Sequence, residues 1–112
     1  IRARTREVVA CYIETGSLTE AAEHLGIQPG TVAGHLERYV LAGNQIPLAP
    51  LMEEVTVSEA QRLEIFALFG SRESYELRPI FEHFDGEISY NDLRMLQVWY
   101  LLALQEQKTS IT

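Results

Sequence analysis

The sequence predicts an all-α domain of about six helices: a helix-turn-helix lobe followed by a second three-helix lobe. Apolar residues recur at helical spacing in segments of helix length. Serines precede three of those segments, each with Glu, Gln or Asp three residues later: Ser17 with Glu20, Ser58 with Gln61, Ser89 with Asp92. Glycines and prolines punctuate the joins, as at Gly16, Gly26, Pro29, Gly43, Gly70 and Pro79.

At 112 residues the chain suits a single domain. Within it the segments read as a helix-turn-helix lobe (1–43), an apolar strap (44–57), a second helical lobe (58–107) and a tail (108–112). A content of 46% hydrophobic and 22% charged residues is that of an ordinary globular protein. Nine Lys and Arg stand against sixteen Asp and Glu, for a net charge of −7. That balance argues against a stand-alone nucleic-acid binder, while leaving room for a local basic face. The lone Cys11 excludes an internal disulfide and a multi-cysteine metal site, and its place in an apolar run suits packing. No stretch is apolar enough to span a membrane and no signal peptide is visible, so a cytoplasmic location is expected. The start at Ile1 rather than Met reads as a piece of a longer protein.

A first helix is expected from about Thr5 to Glu14, with Val8, Val9, Tyr12 and Ile13 on its apolar face. Arg2, Arg4 and Arg6 stand at its positive end, either as a solvated start or as a phosphate-facing arm. Ser17 to Tyr39 is the helix-turn-helix. Ser17 caps its first helix and Glu20 is placed to reach back. Gly26 ends that helix, and Gln28-Pro29 opens the next, which runs to Leu41 or Ala42. Ala21 and Ala22 let the two helices approach, and Leu25, Ile27, Val32, Leu36 and Tyr39 form one apolar set. The strap carries Ile46, Leu48, Leu51, Met52, Val55 and Val57 as anchors, with one helical turn at Leu51 to Glu54. Ser58 begins a helix to about Phe69 that buries Ala60, Leu63, Phe66 and Ala67, and Gly70-Ser71 breaks it. A further helix begins between Ser74 and Leu77 and ends at Phe84. Ser89 caps the last, which runs to about Gln107.

That last helix is apolar nearly all round. Leu93, Leu96 and Tyr100 form one stripe and Met95, Trp99 and Leu102 another. It is either central to the core or offers Met95, Trp99 and Leu102 as a docking face for a larger protein or a second copy.

Catalytic and metal motifs are missing from the pattern. There is no phosphate-binding glycine loop or nucleophile elbow, and His24, His35 and His83 have no neighbours at ligand spacing. The fragment is therefore read as no enzyme, with no metal site and no cofactor of its own. The outer face of the helix from Pro29 holds Gly30, Thr31, Gly34, Glu37 and Arg38, with Gln28 leading. His35 borders its apolar face, suited to packing with one hydrogen bond or to a phosphate contact. Two glycines there suggest close backbone approach by DNA or protein. The candidate nucleic-acid contacts are Arg4, Arg6, Gln28, Gly30, Thr31, Gly34, His35 and Arg38. Base-specific reading is poorly provided for.

G-I-Q-P-G-T-V-A-G-H-L (Gly26 to Leu36), G-N-Q-I-P-L (Gly43 to Leu48), L-R-P-I-F-E (Leu77 to Glu82) and G-E-I-S-Y-N-D-L-R (Gly86 to Arg94) occur in this order. Their succession resembles the C-terminal helix-turn-helix domain of RecQ-type ATP-dependent DNA helicases, over about Arg4 to Arg94. The resemblance implies an accessory domain of a helicase acting in DNA repair and recombination, contacting DNA non-specifically. The implied partners are DNA and the rest of the helicase; the apolar face of the last helix separately admits a second copy. ATP and Mg would belong to motor domains outside this sequence. A protein-docking module without DNA contact is the alternative. A second resemblance, of Gly26 to Leu36 alone, is to the LuxR-type DNA-binding domain of transcription regulators.

Overall fold

The computed structural model describes residues 1–71 and 76–110, with the side chains of 108–110 excepted. Among the described residues seven helices are formed: α1 (Ala3–Thr15), α2 (Leu18–Leu25), α3 (Pro29–Leu41), α4 (Ala49–Glu54), α5 (Glu59–Ser71), α6 (Arg78–His83) and α7 (Tyr90–Ser110). The architecture is all-α. The helix beyond the expected six lies in the strap, where Pro50 is tolerated in the first turn and Leu51 is fully buried.

The helix-turn-helix forms as the caps dictate. Gly16 and Gly26 adopt left-handed φ of 66° and 69°, conformations that glycine takes without a Cβ clash. Ser17 Oγ accepts from the Glu20 amide at 3.1 Å. The reciprocal arm of the box differs from expectation, because Ser17 N–H turns to Thr15 Oγ1. A carboxylate from the strap completes the cap instead. Glu54 accepts from Ser17 Oγ at 2.9 Å and from the amides of Leu18 and Thr19 at 2.8 and 2.9 Å. An acidic group at the positive end of α2 also meets its dipole favourably. At Ser58 the box is fully reciprocal: Gln61 N donates to Ser58 Oγ and Ser58 N to Gln61 Oε1. Ser89 Oγ accepts from Asp92 N at 3.1 Å, while the Asp92 carboxylate takes the Thr56 hydroxyl.

Two apolar clusters fill the interior. The first joins Val8, Val9 and Tyr12 of α1 to Ala21, Ala22, Val32, Leu36 and Val40, with Leu51 from the strap. Tyr12 is fully buried, its hydroxyl satisfied by Pro47 O at 2.7 Å. The second holds Ile65 and Phe69 of α5, Leu77, Ile80 and Ile88. Helix α7 belongs to both, giving Met95, Val98, Leu101 and Leu102 to the first, and Leu93, Leu96, Trp99 and Tyr100 to the second. Its apolar circumference is thus used inside the domain, against α3 on one side and α5 on the other.

Several expected faces turn out differently. Met95 and Leu102 are buried core residues and Trp99 is half-buried beneath Arg62, whose guanidinium lies 4.7 Å above the indole. Met95 and Leu102 are thus taken up by the core rather than turned outward. In α5 the buried residues are Ile65 and Phe69, whereas Ala60, Leu63 and Ala67 are exposed. This helix has apolar residues around most of its girth, so periodicity did not single out its inner side. It also runs on through Gly70 to Ser71. Ile13 is exposed, α6 starts at Arg78, and α7 extends past Gln107 to Ser110. The expected start at Ser74 lies outside the described residues. Among the described residues no helix is long and apolar enough to cross a membrane.

Burial acts to raise the Glu54 pKa, but hydrogen bonds from Thr19, Leu18 and Ser17 outweigh it and hold it below the ordinary carboxylate value. Its stabilising effect is therefore complete above the unfolded carboxylate range and is lost as pH falls through its own lower pKa. Glu54→Ala is expected to cost about 1–2 kcal/mol at pH 7, typical of a lost helix cap. In strong acid the variant and the parent should converge, which urea unfolding at several pH values measures.

Candidate nucleic-acid interface

Helix α3 is held on two sides. Val32 and Leu36 are fully buried in the cluster with α1 and α2. Toward α7, Ala33 is buried, Gln97 Nε2 donates to Glu37 Oε1, and Gln105 Nε2 donates to Val40 O at 2.7 Å. What stays open is a stripe along Thr31, Gly34 and Arg38, with a shallow groove on each flank.

The first groove, about 540 Å³, lies between α3 and the start of α7. Gln28, Gly30, Thr31, Gly34 and Arg38 line one wall, and Tyr90, Asn91 and Arg94 the other. The second, about 510 Å³, lies between α3 and the start of α1, lined by Ile1, Arg2, Arg4, Thr5, His35 and Arg38. Among the described residues no carboxylate lines either groove, and Arg38 lines both. Arg4 pairs with Glu7 at 3.2 Å in partial exposure, a contact that a phosphate can replace at little cost. Among the described residues Arg94 has no ion-pair partner. The basic residues thus form a band across one face of an acidic domain.

Of the sequence-predicted contacts, Gln28, Gly30, Thr31, Gly34 and Arg38 come together in the first groove, and Arg4, His35 and Arg38 in the second. Arg6 is exposed but lines neither. Sequence reasoning missed Tyr90, Asn91 and Arg94. The signal was present in Arg94, one of the few strongly polar residues on an otherwise apolar helix. The two glycines also separate. A Cβ on Gly30 would stand 3.1 Å from Asn91 Oδ1 and 3.3 Å from Arg94 Cδ, so the close approach there comes from the chain's own α7. A Cβ on Gly34 would meet nothing within 4 Å.

His35 Nδ1 lies 3.0 Å from Thr5 Oγ1 and 3.5 Å from Arg38 Nη1. A guanidinium only donates, so Nδ1 is the acceptor and the ring proton sits on Nε2. Burial, then the charges of Arg38 and Arg4, lower its pKa from the usual 6.5. The imidazole is neutral at pH 7, a packing residue whose far edge borders the basic groove.

A family model described as a helix-turn-helix domain matches residues 4–97. The chain belongs to that helix-turn-helix domain family. No curated protein and no solved structure matches it significantly. The matched span takes in all the residues that line the first groove and, apart from Ile1 and Arg2, those that line the second.

Gly34→Ala is expected to stabilise the domain by roughly 0.5–1 kcal/mol, the helix-propensity gain at an unobstructed site. Gly30→Ala should gain less, because Asn91 and Arg94 must shift. Thermal melts of the two variants compare them directly. For His35, an NMR titration should give a pKa below 6.5 with the Nε2–H tautomer. Because the unfolded chain takes up this proton first, stability falls as pH drops from about 6.5 toward the lower folded value. Added duplex DNA should raise the pKa, since phosphate favours the imidazolium. A His35 already protonated at pH 7 would contradict this geometry.

Proposed function

We propose that the domain binds DNA through its phosphates, with the open stripe of α3 facing the duplex and the starts of α1 and α7 meeting its sugar–phosphate walls. The observation that carries this reading is the grouping of Arg2, Arg4, Arg38 and Arg94 around two carboxylate-free grooves in a chain of net charge −7. Phosphate contacts of this kind position a protein without reading sequence. A helix-turn-helix presents its second helix to the major groove while flanking elements touch the backbone. Here those flanks are the arms bearing Arg2 and Arg4 on one side and Arg94 on the other.

The finer context is an accessory C-terminal domain of a RecQ-like ATP-dependent helicase, acting in repair or recombination in the cytoplasm. The four motif segments from Gly26 to Arg94 support it, and they include the Tyr90-Asn91-Asp92-Leu93-Arg94 turn that forms one groove wall. In this reading the domain itself does no chemistry. It holds DNA while motor domains elsewhere in the polypeptide hydrolyse ATP with Mg. A docking role without DNA contact loses its main support, since Met95 and Leu102 are in the core.

Anisotropy titration of a labelled blunt duplex at two salt concentrations tests the contact. The expected Kd is on the order of 10⁻⁴–10⁻⁶ M near physiological salt, tightening steeply as salt falls. Arg38→Ala and Arg94→Ala should each weaken binding to every sequence alike and lower the salt slope by about 1. Absence of binding at low salt, in a domain whose fold is verified by circular dichroism, would sink the proposal. The helicase context stands or falls separately, on whether a Walker-type P-loop occurs in the polypeptide preceding Ile1.

A further inference from the structure

Tyr90 is an exposed aromatic residue in an unusual setting. It opens α7, retains 37% exposure, and its ring stacks on Phe81 of α6 with centroids 4.2 Å apart and planes within 11°. Phe81 is fixed from beyond by Gly86, where a Cβ would stand 3.2 Å from the ring tip. Glycine is also suited to the left-handed φ of 74° at that turn. The loop thus brings Phe81 beneath Tyr90 and holds the pair flat. Tyr90 forms the rim between the first groove and a neighbouring one of about 430 Å³ toward α6, and Arg94 lines both.

The two grooves differ in charge. The one beside α3 has no carboxylate, whereas the one beside α6 is lined by Glu37 and Glu76, and its Arg78 is engaged by Glu82 at 2.9 Å. Phosphates are drawn to the α3 side and turned away from the α6 side. A strand whose backbone follows Arg38 and Arg94 would place its bases toward the rim.

We propose that Tyr90, backed by Phe81, is a stacking platform for an unpaired DNA base, so that the domain grips the junction where duplex becomes single strand. This rests on the phosphate-contact reading above. A ring already packed face to face on its neighbour loses little entropy on stacking a base, and every base offers a π-face, so the platform needs no sequence. Arg94 at the same rim supplies the charge for the adjacent phosphate.

The test compares a blunt duplex with the same duplex bearing a short single-stranded extension that carries 2-aminopurine next to the junction. The extended form should bind about tenfold tighter, the size of one base–aromatic stack, and 2-aminopurine fluorescence should be quenched on binding. Tyr90→Phe should keep both effects. Tyr90→Leu, which still covers Phe81 but has no flat ring, should bring the affinity ratio near one and remove the quench, as should Tyr90→Ala. A ratio near one in the parent protein, or a ratio and quench that survive Tyr90→Leu, would overturn the platform while leaving duplex binding intact. Failure to bind either DNA would overturn the phosphate-contact reading as well.

Discussion

The seam between α3 and α7 is the constraint on which the other features depend. It is built from the small buried side chain of Ala33, the fully buried Val98, and the hydrogen bond from Gln97 to Glu37. The Gln97 amide is buried, so separating it from the half-exposed Glu37 carboxylate is costly on the amide's side. The pair therefore fixes the register of α7 against α3 as well as contributing to stability. That register sets Asn91 and Arg94 beside Gly30, and so creates the groove. It also turns Leu93 and Leu96 away from α3 into the second cluster. One helix thus orders both halves of the core and one wall of the candidate site.

A second constraint acts at the other end of the helix-turn-helix. Glu54 reaches from the strap across to α2 and takes up two amides and the Ser17 hydroxyl. Leu51 is fully buried one turn earlier, and the carbonyl of Pro47 receives the Tyr12 hydroxyl. The strap is consequently bonded to α1 and α2 while its Val55 packs on both clusters. A segment with two prolines and one short helix acts as a tie between the lobes. The tilt of α2, and through it the presentation of α3, is set by residues that follow the motif in sequence.

Local grammar made much of this legible beforehand. Ser17, Gly26, Pro29, Ser58 and Ser89 specify helix ends through contacts within three or four residues, and each end formed as expected. What local grammar could not supply were the contacts spanning long separations. Thr15 Oγ1 took the Ser17 N–H expected to go to Glu20, while Glu54, a strap carboxylate positioned by the burial of Leu51, added bonds to the Leu18 and Thr19 amides from 35 or more residues away. The inward side of α5 was hidden because Leu63, Ile65, Phe66 and Leu68 point in several directions. For α7 the apolar circumference admitted a core or a docking role, and only the position of α5 opposite α3 decided between them. The candidate site was half legible for the same reason. Its α3 wall follows from the helix-turn-helix pattern. Its α7 wall depends on the Glu37–Gln97 pairing across 60 residues.

The charge distribution limits what such a face does. Sixteen carboxylates against nine Lys and Arg give the domain a net repulsion from DNA that salt screens beyond roughly 8–10 Å. The arginines around α3 prevail only at close range, where no carboxylate lines the grooves. Approach in the wrong orientation is disfavoured, so the acidic remainder orients the domain even as it lowers affinity. A face of this kind is weak alone and effective when a linked DNA-binding part raises its local concentration. Weakness fits the helicase context proposed above, because a strand moving through a motor must be released as often as it is held. A flat aromatic rim suits the same demand. It accepts any base, gains a modest energy from each, and forms no sequence-specific contact that would arrest the strand.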